Sequence, residues 1–143
     1  HDPHFTGSML RVYQTLAAYA IEKYHEVYKR TGTTPDAAEL RPILQYIKEA
    51  DSIDNTSPLT ILLKALFEII SGGRLEEALR YLKSLKDKVA RGEVSREFLF
   101  PVHLLRVRIC AGYCGYCDLF VHVLVYIYMY CLWTKRKALC VDL

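Results

Sequence analysis

Cys110, Cys114 and Cys117 stand at C-x3-C-x2-C spacing. Thiolates at such intervals can hold zinc or an iron–sulfur cluster, with Cys131 or a histidine as a further ligand. The competing reading makes them small apolar side chains in a core, because free cysteine is among the most buried residue types. That second reading is preferred, so no metal is expected, and the three cysteines stand only as candidates for one. His122 lies in the middle of an apolar run, where it could ligate a metal or carry a proton. A core histidine bonded to a tyrosine, an aspartate or a carbonyl is the simpler account. His25 and His103 have no neighbours in sequence that would recruit them. No serine or cysteine stands in a nucleophile elbow or dyad. There is no Walker-type glycine loop and no G-x-G-x-x-G. Glu76-Glu77, and Asp51 with Asp54, read as solvated helix ends and loops rather than acid–base pairs. These residues point away from an enzyme and imply no cofactor.

Two other patterns could bind rather than react. Lys83, Lys86, Lys88 and Arg91, with Arg96 beyond them, could form a phosphate-binding strip. The preferred reading is the ordinary polar face of an amphipathic helix. The formal charge is only +3, too small to require a nucleic-acid or membrane partner. Eleven tyrosines and one tryptophan are many for 143 residues. Such side chains suit places where one end is buried and the other wet, subunit interfaces included.

The elements that carry these residues are expected to be helices. Composition is globular, with 52% hydrophobic and 24% charged residues, and the length suits one domain with one core. Residues 1–8, HDPHFTGS, read as an expression-tag remnant, residues 9–140 as a single helical domain, and residues 141–143 as a cloning scar. The segment from Met9 lacks the pattern of a secretory signal, which places synthesis in a cytoplasm and leaves the five cysteines without need of bridges. Leu10 to Arg30 shows helical periodicity, with Leu16, Ala20, Tyr24 and Val27 as the inward stripe and Val12, Tyr19 and Ile21 widening it. Thr34-Pro35-Asp36 opens a second helix with Thr34 as capping hydroxyl. Its apolar face is Leu40, Ile43, Leu44 and Ile47, and Pro42 inside predicts a kink or two pieces. Ser57-Pro58 opens a third, apolar nearly all round from Leu59 to Ile70 and therefore central, with Gly72-Gly73 ending it. Leu75 to Arg91 is the clearest amphipathic helix. Leu75, Ala78, Leu79, Leu82, Leu85 and Val89 face inward, and Gly92 follows as a C-cap.

The last third is greasier. Phe98 to Ala111 is apolar with Arg106 and Arg108 embedded. Leu119 to Trp133 is a run of 15 residues with one histidine and no formal charge. Its Val, Ile and Tyr content would also fit a strand. Helix is preferred, because helical spacing collects Asp118, His122, Tyr126 and Tyr130 on one stripe. A membrane span needs about 20 apolar residues, so a buried core helix is preferred over a membrane-embedded hairpin. A hydrophobic subunit interface is the third reading. The fold class predicted is all-α, a four-helix-bundle-like single domain with a kinked second helix and a very apolar C-terminal helix.

The cysteine spacing matches the cluster-binding motif of radical enzymes that use S-adenosylmethionine, but those enzymes place it after the first strand of a barrel, and this chain ends too soon for one. A better match lies in length, composition and organisation. The short, helical, tyrosine-rich chain, with a greasy stretch from Phe98 to Trp133, resembles the small helical coat proteins of crenarchaeal viruses, that of the two-tailed Acidianus virus among them. The resemblance implies a four-helix bundle that assembles into virions. It implies copies of itself or other virion proteins as partners, with synthesis in the host cytoplasm. The expected function is then a non-enzymatic structural protein that self-associates. Phe120, Leu124, Tyr128, Leu132 and Trp133 are the expected association residues. The alternatives are a small nucleic-acid-binding or regulatory module and a membrane-associated helical protein.

Overall fold

The computed structural model describes residues 3–33, 36–110 and 123–130. These residues are helical with short connections and include no strand, so the chain is an all-α protein. The helices are α1 (Pro3–Thr31), α2 (Ala37–Ile53), α3 (Pro58–Ile70), α4 (Leu75–Ala90) and α5 (Leu99–Cys110), with one 3-10 turn at Arg96–Phe98. Residues 123–130 form a further helical segment.

Local chemistry explains most boundaries. Asp36 caps α2 by accepting the Glu39 amide at 3.0 Å, which satisfies one of the orphan donors of the first turn. The expected cap, Thr34, lies outside the described residues. Pro58 sits in the first turn of α3, where its missing N–H costs nothing. α3 ends in a Schellman turn: Gly72 adopts φ +67° and the Gly73 amide reaches back to the Glu68 carbonyl at 3.1 Å. α4 ends the same way through Gly92, with the Glu93 amide on the Lys88 carbonyl at 2.9 Å. α2 runs unbroken through Pro42, not as two pieces; Pro42 is its sixth residue, exposed, and costs only the bond to the Ala38 carbonyl. α1 begins at Pro3, so from that residue on the stretch read as a tag remnant is helical and continuous with the rest of α1.

α3 is the central element, in contact with α1, α2 and α4. Leu59, Leu62, Leu63 and Leu66 are fully buried on it, as its near-uniform apolarity demands. α1 packs chiefly on α2 and α4 on both α3 and α5. Val123, Leu124 and Ile127 of the 123–130 segment join the same core as Ile21, Leu66, Leu82 and Leu105. Polar ties at the edges fix relative placement. Tyr24 donates its hydroxyl to the Ile70 carbonyl at 3.0 Å, joining α1 to the end of α3. Lys64 pairs with Asp51 of α2 at 2.6 Å.

Candidate functional site

The buried face of α1 matches the stripe expected from periodicity only in part: Ile21 and Tyr24 are buried as expected, while Ala20 and Val27 are half-buried. Leu10, Gln14, Ala17, Ala18, Ile21, Tyr24 and His25 face the core. Val12, Leu16 and Tyr19, expected to face in or to widen the inward stripe, are exposed by 46%, 36% and 51%. They belong to a second apolar line on the opposite side of the helix. Phe5, exposed by 66%, Met9, Val12, Leu16 and Tyr19 alternate at spacings of four and three. That is the seam spacing of helices that pair along their length. Lys23 continues the line, and its ammonium lies 5.4 Å from the centre of the Tyr19 ring, within reach of the ring's negative face.

Two further exposed apolar faces accompany it. On α5, Phe100 and Val107 are exposed, with His103 and Cys110 at intervening three- and four-residue steps. On the 123–130 segment, Val125 and Met129 are exposed, Met129 by 64%. Tyr128 of this segment donates its hydroxyl to the Glu22 carboxylate of α1 at 2.6 Å. The bond holds the segment beside the α1 turn that follows Tyr19.

Behind the α1 seam lies a buried polar network. Gln14 is fully buried; its amide nitrogen donates to the Ser57 hydroxyl at 2.9 Å and the Thr60 hydroxyl at 3.0 Å. Its amide oxygen accepts from the Arg11 guanidinium, which in turn stacks over the Tyr130 ring at 5.0 Å. Ser57 therefore serves Gln14 rather than capping α3 with its side chain. Tyr130 and Tyr126 stack on each other, and both meet the buried Phe98 ring edge-on at 5.1 and 5.8 Å. Such edge-to-face geometry is favoured by ring quadrupoles. Burial holds the Tyr126 phenol above its ordinary range, with Glu97 and Tyr130 acting in the same direction. Burial also pushes His25 below its ordinary value of 6.5, with Lys29 and Arg108 adding to the shift against the opposing pull of Glu26 and Glu22.

The expected site residues fall as follows. Leu124 is only 4% exposed and lies in the chain's own core. It is therefore corrected from association residue to core residue, since its side chain is not available to a second copy. Tyr128 packs partly against the same core and bonds to Glu22. Phe120, Leu132 and Trp133 lie outside the described residues, as do Cys114, Cys117 and His122. Cys110 is exposed at the end of α5, not packed in a core. Among the described residues no three His, Cys, Asp or Glu side chains gather as a metal site, and no helix is long and apolar enough to cross a membrane.

The basic strip does not form one face. Lys83 and Lys86 are exposed with Asp87 beside them, Lys88 is half-buried and turned away by helical pitch, and Arg91 is engaged by Glu93 through two contacts at 3.0 and 3.3 Å. Arg80 is likewise paired, with Glu77 at 2.9 Å. Leu75, expected inward, is 47% exposed. The exposed seam of α1 had a signal in the sequence, the three–four spacing from Phe5 to Tyr19, but it was overlaid by the inward stripe of the same helix. No family model, curated protein or solved structure matches this chain.

Proposed function

We propose that the chain is a non-enzymatic structural protein that works by associating with copies of itself, a coat-type protein of a virion. The observation that carries this reading is α1. One side of it is already buried in the core, yet its other side exposes Phe5, Val12, Leu16 and Tyr19 in a line. Apolar side chains scattered singly on a surface need no explanation, but contiguous ones mark interaction sites. Val125 and Met129, and Phe100 with Val107, give two further apolar faces. Several faces on one small chain suit an assembly with more than one neighbour per copy. The coat-protein form of the reading rests on the likeness to crenarchaeal virus proteins in length, composition and helical organisation, and puts the chain's destination in the virion.

Multi-angle light scattering of the purified protein from micromolar to millimolar concentration, without detergent, tests the proposal. Mass rising from one copy to two and beyond supports it. A single copy at every concentration contradicts it. So does mass that depends on added DNA and falls steeply with salt, which is the behaviour of a phosphate-binding module.

A further inference from the structure

The charge pattern along the α1 seam distinguishes the two ways in which two copies could pair through it. Between Pro3 and Ala20 the only residue of α1 with a formal charge at neutral pH is Arg11, and it is turned inward onto Gln14 and Tyr130. From Glu22 onward the helix carries Glu22, Lys23, Glu26, Lys29 and Arg30. The outer line thus has an uncharged apolar half and a charged half, with Lys23, Glu26 and Arg30 on the same three–four spacing. Two copies laid parallel would bring Lys23 onto Lys23, Glu26 onto Glu26 and Arg30 onto Arg30, each a like-charge contact. Two copies laid antiparallel would pair the apolar halves, bring only Lys23 of the charged halves into the contact, against Phe5, and leave Glu26 and Arg30 beyond it.

We infer that α1 pairs with α1 of a second copy, antiparallel about a two-fold axis at the level of Gln14, a step that rests on the self-association proposed above and names its surface. In this register Val12 faces Leu16 of the second copy and Met9 faces its Tyr19. Phe5 meets the Lys23 that already lies over Tyr19. A two-fold contact is closed, so the same residues serve both copies. The opposed helix dipoles also suit the arrangement.

Area sets the expected strength. Fully covered aromatic side chains bury about 150–250 Å² each; with Phe5 66% and Tyr19 51% exposed, they contribute roughly 100–165 and roughly 75–130 Å² here. With Val12, Leu16 and Met9 the seam offers on the order of 400 Å² per copy, about half of the ~800 Å² per partner of a standard stable interface. The pair is therefore a weak dimer, populated at micromolar to millimolar concentration and reinforced only in a larger assembly.

The test replaces Phe5 with the photoreactive analogue benzoylphenylalanine and irradiates an equal mixture of isotopically light and heavy protein. Crosslinks are mapped by mass spectrometry. The expected result is a light–heavy link from position 5 to the stretch around Lys23, with little linkage between the two positions 5. Links from position 5 to the partner's first turns would overturn the antiparallel register. A second variant, Leu16→Glu, is expected to weaken the dimer at least tenfold while leaving the helical spectrum unchanged, because Leu16 lies on the outer side of α1, 36% exposed. Association that persists undiminished in Leu16→Glu overturns this surface while sparing self-association itself. Wild-type protein that never associates overturns both.

Discussion

Replacing Gln14 with methionine keeps most of the side-chain volume and removes every polar contact. In the folded chain Gln14 is fully buried, uses both amide hydrogens on Ser57 and Thr60, and accepts from Arg11. A net hydrogen bond contributes about 0.5–1.5 kcal/mol and one to a charged group about 1.5–3 kcal/mol. Two neutral bonds and one charged bond therefore sum to about 2.5–6 kcal/mol, and the loss should lie toward the lower end, near 3 kcal/mol, because the Arg11 bond is only partly buried and the apolar methionine gains from burial. Ser57 is nearly buried and Thr60 wholly so, and neither can turn to bulk water to replace its lost donor. The effect should exceed that of any single surface substitution on α1. It would be read as the shift in urea midpoint multiplied by the unfolding slope, at a concentration low enough to keep the protein monomeric. The partner change Thr60→Val, made on top of Gln14→Met, should recover part of the loss, because removing both partners leaves fewer orphaned groups than removing one. A Gln14→Met protein within about 0.5 kcal/mol of wild type, comparable to a neutral surface change, would refute the claim that this network anchors α1 on α3.

Other perturbations follow from the same structure. His25 titrates below 6.5 when folded because burial, Lys29 and Arg108 disfavour its charged form. Its contribution to stability is thus full above pH 6.5 and lost as pH falls through the folded pKa, since the unfolded chain binds the proton first. Urea midpoints of wild type should drop on acidification from pH 7.5 to 5, and His25→Leu should show a shallower drop; equal slopes would contradict this. Ile127→Ala should cost about 2–5 kcal/mol if the 123–130 segment belongs to the core, as its fully buried side chain indicates. An unchanged midpoint would separate that segment from the folding unit. Asp36→Ala should cost about 1 kcal/mol through the lost cap on Glu39, measured as the same midpoint shift, whereas Asp36→Asn should cost little.

The helical boundaries were legible because they depend on local chemistry. Pro58 at a helix start and Gly72 and Gly92 just past helix ends leave signs that need no tertiary partner. The centrality of α3 followed from its lack of a polar face. The rotation of α1 was legible only in part, at Ile21 and Tyr24. Leu16 and Val12 are apolar, and so are Leu10, Ala17 and Ile21 on the other side, so periodicity alone cannot say which line meets the core. The deciding residue, Gln14, reads as polar and hence outward, yet it is drawn inside by Ser57 and Thr60, two residues more than forty positions away. Leu124 misled for the opposite reason. A segment with few charges offers two apolar faces, and the packed one takes Val123, Leu124 and Ile127 while Val125 and Met129 are left outside. The basic positions on α4 allowed a strip as the lesser alternative to an ordinary polar face, because spacing does not show which cations a neighbouring acid engages. Arg91 is held by Glu93, two residues on in the turn after the helix.

The central claim is that the folded chain associates through the outward face of α1. The direct measurement is sedimentation velocity over a hundredfold concentration range, for wild type and for Leu16→Glu side by side. The account predicts a sedimentation coefficient that rises with concentration for wild type and stays at the one-copy value for Leu16→Glu, with both proteins equally helical. Wild type that remains a single copy throughout, or a Leu16→Glu protein that associates as well as wild type, would contradict it.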